Sequence, residues 1–158
     1  DEECYDLWSC NNLYWYLTHA CSPVTDGLMP YREADLLRNI LDRADAALKE
    51  GKNQATLRFG HESCLLPLVA LLELNHYGES YPDVEKLSEQ WRAYDIFPMA
   101  SNVQFVFFHK KGSNDVLVKV LLNEKETKLP VKTDVAPYYH WKDVESYYRE
   151  KLDKYQHI

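Results

Sequence analysis

No stretch of this chain reaches the roughly 18 uninterrupted apolar residues that a membrane-crossing helix needs. It has no basic-then-apolar leader either. The sequence starts Asp1-Glu2-Glu3, so the expectation is that any leader has been removed or never belonged to it. Basic charge is in short supply: 18 Lys and Arg stand against 25 Asp and Glu, a net charge of −7. That balance argues against a general nucleic-acid binder, which needs a basic face. Cysteine is limited to Cys4, Cys10, Cys21 and Cys64, with no C-x-x-C pair and no zinc-site spacing. Four cysteines are too few for a disulfide scaffold. One disulfide fits an oxidising compartment, and buried free thiols are the preferred reading. Repeats, low-complexity runs and Gly/Ser linkers are also missing, so the chain is expected to form a single unit over 1–158.

What remains is an ordinary core-forming composition. The 158 residues have the length of one domain, and 46% are apolar, which is enough to bury a core. Residues 3–21 read as a helix crowded with Tyr5, Leu7, Trp8, Leu13, Tyr14, Trp15, Tyr16 and Leu17, expected to be covered on much of its surface. Residues 33–50 place Leu37, Ile40, Leu41, Ala44 and Leu48 at helical spacing, with Gly51 as a stop. Residues 64–74 are apolar nearly all round and predict a deeply placed helix, with Pro67 in or just after its first turn. A short helix is expected over 83–92. Val103–Phe108 and Val116–Leu122 flank a turn and predict a hairpin, and 141–155 predict a terminal amphipathic helix.

Chemistry concentrates at Leu57-Arg58-Phe59-Gly60-His61-Glu62-Ser63. Ala55–Phe59 is read as a strand covered by helices, with Gly60 as the residue that lets the backbone turn. His61 and Glu62 then stand at a strand end and a helix start. There α/β sheets place ligands, and free helix N–H groups favour anions. A donor imidazole beside a proton-carrying carboxyl suits phosphate-ester cleavage. Structural readings stand beside this one. A histidine at a strand end is often only a hydrogen-bonder, Glu62 or Ser63 equally serves as a helix cap, and Arg58 equally forms a structural ion pair. Residues 103–132 carry six lysines against three acids, read by default as a solvated face.

The run Leu57-Arg58-Phe59-Gly60-His61-Glu62 with Leu65-Leu66-Pro67-Leu68 resembles the C-terminal catalytic segment of the histidine acid phosphatases, and within them the inositol polyphosphate phosphatase group. Ala100–Val106, Val118–Lys125 with Leu129-Pro130, and Tyr5–Trp8 through Asn12, Tyr16 and Ser22-Pro23 extend the likeness over nearly the whole chain. The resemblance implies an α/β fold, the C-terminal part of a three-layer αβα architecture with a late antiparallel hairpin and a terminal helix. It also implies phosphomonoester hydrolysis through a phosphohistidine. His61 would steady a non-bridging oxygen, and Glu62 would protonate the leaving group and then help activate water. Ser63 and Arg58 are candidate substrate contacts. Such enzymes work in mild acid or use nearby phosphate charge to keep the carboxyl protonated.

The family's attacking histidine lies in an R-H-G-x-R-x-P motif, and these 158 residues do not contain one; Thr18-His19-Ala20 and Phe108-His109-Lys110 do not fit it. The inositol polyphosphate group commonly reads His-Ala-Glu, whereas this chain reads His61-Glu62-Ser63. The expectations are therefore no metal or other cofactor, a phosphate-ester substrate, a complementary N-terminal half or a second copy as partner, and a periplasmic or secreted location. The alternative is a non-catalytic phosphate-ester binder or interaction domain.

Overall fold

The structure is a computed structural model that describes residues 1–155. The acidic start of the chain lies at the N-terminus of α1 (Glu2–His19), where exposed N–H groups favour negative charge. Only Asn12, Tyr16 and His19 of α1 are buried. Tyr5, Leu7 and Tyr14 are 54%, 73% and 57% exposed, so the expectation of a widely covered helix fails. Trp15 packs against Phe97 at the edge of the core, ring centroids 4.9 Å apart, while Tyr5 and Tyr14 face outward.

Two 3₁₀ turns, Pro23–Thr25 and Met29–Glu33, lead to α2 (Ala34–Glu50), which buries Ala34, Leu37 and Leu41 and ends at Gly51 with φ 66°. A left-handed residue there ends a helix at little cost only when it is glycine. After an extended stretch, α3 (Glu62–Leu71) runs into the centre of the molecule with Leu66, Pro67, Leu68, Val69, Ala70 and Leu71 buried, as its all-round apolar sequence predicts. Pro67 is the sixth residue of the helix and removes one i→i−4 bond there. The carbonyls at the far end are taken up from outside. Tyr148 Oη donates to Leu72 O at 2.7 Å and Lys151 Nζ to Leu71 O at 2.7 Å, which satisfies groups that a helix end leaves open.

The single helix expected over 83–92 is instead a 3₁₀ turn (Val84–Lys86), α4 (Leu87–Gln90), an extended Trp91-Arg92 and α5 (Ala93–Ile96). The break has a local cause. Asn12 donates to Trp91 O at 3.0 Å and accepts from Ala93 N at 2.8 Å, capturing the backbone in extended form.

The sheet is antiparallel throughout. β1 (Val103–His109) pairs with β2 (Val116–Leu122) in the register Val103↔Leu122 to His109↔Val116, which is the expected hairpin. The other edge of β2 carries two short strands, β3 (Lys125–Glu126) and β4 (Tyr139–His140). Val118, Val120 and Leu122 alternate inward from β2. They meet Trp141, Val144, Tyr148 and Leu152 of α6 (Trp141–Tyr155) in one core cluster, which also takes in Leu37 and Leu41 of α2 and the body of α3. The result is a mixed α/β structure with a late hairpin and a terminal helix. It anchors α3 from behind and leaves its N-terminus at the surface.

All four cysteines are free, but only Cys21 is partly buried; Cys4, Cys10 and Cys64 are exposed, against the expectation of buried thiols. Cys4 and Cys10 lie on the open side of α1, and Cys64 lies in the first turn of α3. Burial pushes the Cys21 thiol up to about 11, which leaves it chemically quiet.

Candidate active site

Residues 53–60 deliver the site, and they do not form a strand. Leu57 and Phe59 are 76% and 95% exposed, so the expectation of a helix-covered strand over Ala55–Phe59 is corrected. A strand exists only through a ladder partner, and none of the described residues pairs with this segment. Gly60 is not a conformational necessity either. Its φ is not in the left-handed region, and a Cβ built on it meets nothing within 4 Å. Arg58 donates through Nη2 to Asn39 Oδ1 at 2.7 Å, tying the segment to α2. The ion pair considered for Arg58 is thus a bond to a neutral amide.

His61 is the N-cap residue of α3, with φ −113° and ψ 162°. Its carbonyl accepts from Cys64 N and Leu65 N, both at 3.0 Å, while its side chain makes no cap bond. Glu62 is the first helical residue. The side chains of His61 and Glu62 are exposed, and that of Ser63 is partly so. Neither Glu62 nor Ser63 caps the helix, and the positive end of α3 is open to an anion. The three residues are contiguous at this end. Two surface grooves, of about 590 and 210 Å³, lie elsewhere, against Trp8 and Tyr94 in one case and Glu73 and Leu129 in the other.

Three residues that sequence reasoning passed over also gather here. The 3₁₀ turn Met29–Glu33 packs on α3. Burial raises the Glu33 carboxyl above its usual value, opposed by the charge of Arg32 and by the nearby Cys64 thiol. His19 closes α1 against the same region, buried, with its Nδ1 2.6 Å from Thr18 Oγ1 and its ring 4.7 Å from that of Trp15. Burial and then Arg32 hold the imidazole below its ordinary value, against an opposing pull from Glu62. His19, Arg32 and Glu62 therefore share one electrostatic neighbourhood. The only sequence signal for it was the two charges Arg32-Glu33 just ahead of a helix.

Comparison with known proteins decides the family. Residues 31–123, more than half of the chain, match the histidine phosphatase superfamily (branch 2). The chain belongs to that superfamily. The matched span holds Arg32, Glu33, Arg58 and the whole of 61–64, and begins after His19. Human multiple inositol polyphosphate phosphatase 1 is 28% identical over 134 residues, covering 77% of this chain and 27% of that protein. The Gallus gallus protein of the same name is 27% identical over 135 residues, covering 74% and 28%. Among solved structures, the Bifidobacterium longum multiple inositol polyphosphate phosphatase in complex with inositol hexasulfate superposes with a TM-score of 0.64 at 26% identity, over 75% of this chain and 25% of that one. Its apo form, at 24% identity, gives a TM-score of 0.74 over 88% and 30%, a likeness of fold. The chain spans under a third of the length of each of these relatives. It shares the α/β fold of these relatives.

Proposed function

We propose that these residues supply the second histidine and the proton donor of a phosphomonoesterase that works through a phosphohistidine. Inositol polyphosphates or similar esters are its substrates. The observation that carries the reading is the His61-Glu62 pair, exposed and uncapped at the open N-terminus of α3, within a chain of this superfamily. In this reading a histidine outside the 158 residues attacks phosphorus and expels the leaving alkoxide. His61 and the α3 amides hold a non-bridging oxygen as charge builds on it. Glu62 gives its proton to the leaving oxygen, then takes one from the water that hydrolyses the phosphohistidine. Ser63 lies within the same first turn as a further donor. Arg58, already bonded to Asn39, is the weaker candidate contact. The substrate class is supported by the inositol polyphosphate phosphatases among the relatives.

The missing R-H-G-x-R-x-P segment favours a second reading for the chain taken alone, a phosphate-ester binder without turnover. The first reading then requires a complementary N-terminal half, in a periplasmic or secreted protein by family likeness. The test is phosphatase assay of the full-length protein with Glu62→Gln and His61→Ala. Each is expected to lower turnover of an alkyl phosphate about 10²-fold or more. Activity within threefold of the unaltered protein in both variants would exclude the assignment.

A further inference from the structure

Residues 53–60 bring the chain to His61, and they are exposed along their whole length. Among the described residues, a single hydrogen bond ties that segment to the rest of the chain, from Arg58 Nη2 to Asn39 Oδ1 at 2.7 Å. Asn39 stands on a well-fixed helix. It lies on α2 between the buried Leu37 and Leu41, and the adjacent Arg38 donates to Leu152 O of α6 at 3.1 Å. His61, by contrast, is held from one side only. Its carbonyl accepts from Cys64 N and Leu65 N, which fixes the C=O against α3. Rotation about its Cα–C bond stays open, and that rotation swings the imidazole and the incoming chain together. Arg58 is three residues upstream, at most about 10 Å of extended chain away, so anchoring it restrains the rotation.

We propose that Asn39 is a positioning residue for His61: its amide oxygen holds Arg58, and through Arg58 sets the direction in which the imidazole leaves the α3 N-terminus. The inference rests on the function proposed above and adds to it a residue that touches no substrate. His61 acts on charge that builds in the transition state, so a loosened imidazole lowers turnover before it weakens substrate binding. A displacement of about 1 Å caused far from the chemistry is enough to lose about 10²-fold in rate. The bond itself is solvent-exposed, so removing it should change stability little. Asn39→Asp keeps an acceptor oxygen for the guanidinium and preserves the tether, whereas Asn39→Leu removes it at similar volume.

The test is steady-state kinetics of the full-length protein on an alkyl phosphate, with melting temperatures measured alongside. Asn39→Leu is expected to lower kcat about tenfold with KM within about twofold, and Asn39→Asp to keep both near the unaltered values. Arg58→Met should match Asn39→Leu, and the double variant should be no worse than either single one, as a shared tether requires. On the residual activity of His61→Ala, Asn39→Leu should have no further effect, and melting temperatures should stay within about 2 °C throughout. A kcat for Asn39→Leu within about twofold of the unaltered protein, with His61→Ala impaired, overturns the inference and leaves the proposed function standing. A loss that persists undiminished on top of His61→Ala does the same, because it marks a general structural effect. So does an Arg58→Met variant that raises KM far more than Asn39→Leu, which makes Arg58 a substrate contact. If Asn39→Leu unfolds, Arg58→Met decides, and an unchanged kcat there overturns the proposal. Wild-type turnover in His61→Ala overturns both the inference and the function it rests on.

Discussion

Ser9 and Asn12 lie about one turn apart on α1, and burial treats them differently. Asn12 satisfies its amide on both sides, against Trp91 O and Ala93 N. Ser9 Oγ is buried with no partner. Replacing Asn12 by Ala strands a buried carbonyl and a buried N–H, and should cost about 2–3 kcal/mol. Replacing Ser9 by Ala removes an unpaired hydroxyl and improves helix propensity, and should stabilise by about 1 kcal/mol. Urea unfolding of the two variants checks both, and equal effects of the same sign would refute the contrast. Neither role was legible in the sequence, because the partners of Asn12 lie 79 and 81 residues away. His61 and Glu62 were legible as a pair because their chemistry is contiguous. The packing of the Met29–Glu33 turn on α3 was not, because only the folded chain brings those segments together.

Elements that rest on their own periodicity were read correctly: α2 from its apolar stripe, α3 from its uniform apolarity, the hairpin from two β-rich runs around a turn. The segment 55–59 was misread because a strand needs a neighbour, and short apolar alternation does not say whether one is present. The short strand β4 holds a further element-level device. His140 sits between two carboxylates, Nδ1 facing Asp115 at 3.0 Å and Nε2 facing Asp134 at 2.9 Å, so it joins the hairpin loop to the loop before α6. The bond to Asp115, then that to Asp134, raises the His140 imidazole above its ordinary 6.5. The bond to His140 in turn lowers the Asp134 carboxyl below 3.8. A raised histidine stabilises fully below pH 6.5 and loses that contribution as pH rises through its folded value. The carboxylate side is lost only as pH falls below the ordinary carboxylate range. Melting temperature should therefore decline from pH 6 upward in the unaltered chain, and that component should vanish in His140→Gln; an identical pH profile in the two would refute it. In α6, Tyr148→Phe removes the only side-chain donor to Leu72 O recorded among the described residues, and should cost about 1–2 kcal/mol by thermal unfolding.

On the scale of the whole molecule, the core closes around α3 while apolar groups remain outside. Tyr5, Leu7 and Tyr14 on α1, Leu57 and Phe59 before α3, and Met99 are all largely exposed. Exposed apolar groups of this size attract partners. The 158-residue chain by itself is expected to bind a hydrophobic dye and to self-associate in sedimentation; a clean monomer that binds no dye would refute this. The overall α/β character was legible from the order of helices and the hairpin. The extent of the open surface was not legible, since α1 was expected to be covered on much of its surface and is buried only at Asn12, Tyr16 and His19.

The central claim is that Glu62 moves the proton in both steps of a phosphohistidine reaction, and rapid-quench kinetics of Glu62→Gln in the full-length protein tests it most directly. p-Nitrophenol leaves without needing a proton, whereas an alkoxide does not. With p-nitrophenyl phosphate the variant should release a burst of about one p-nitrophenolate per site and then turn over slowly, because water attack on the phosphohistidine has lost its base. With an alkyl phosphate it should give no burst. A variant that turns over both esters at wild-type rates, or that slows on both equally without a burst, would contradict the account.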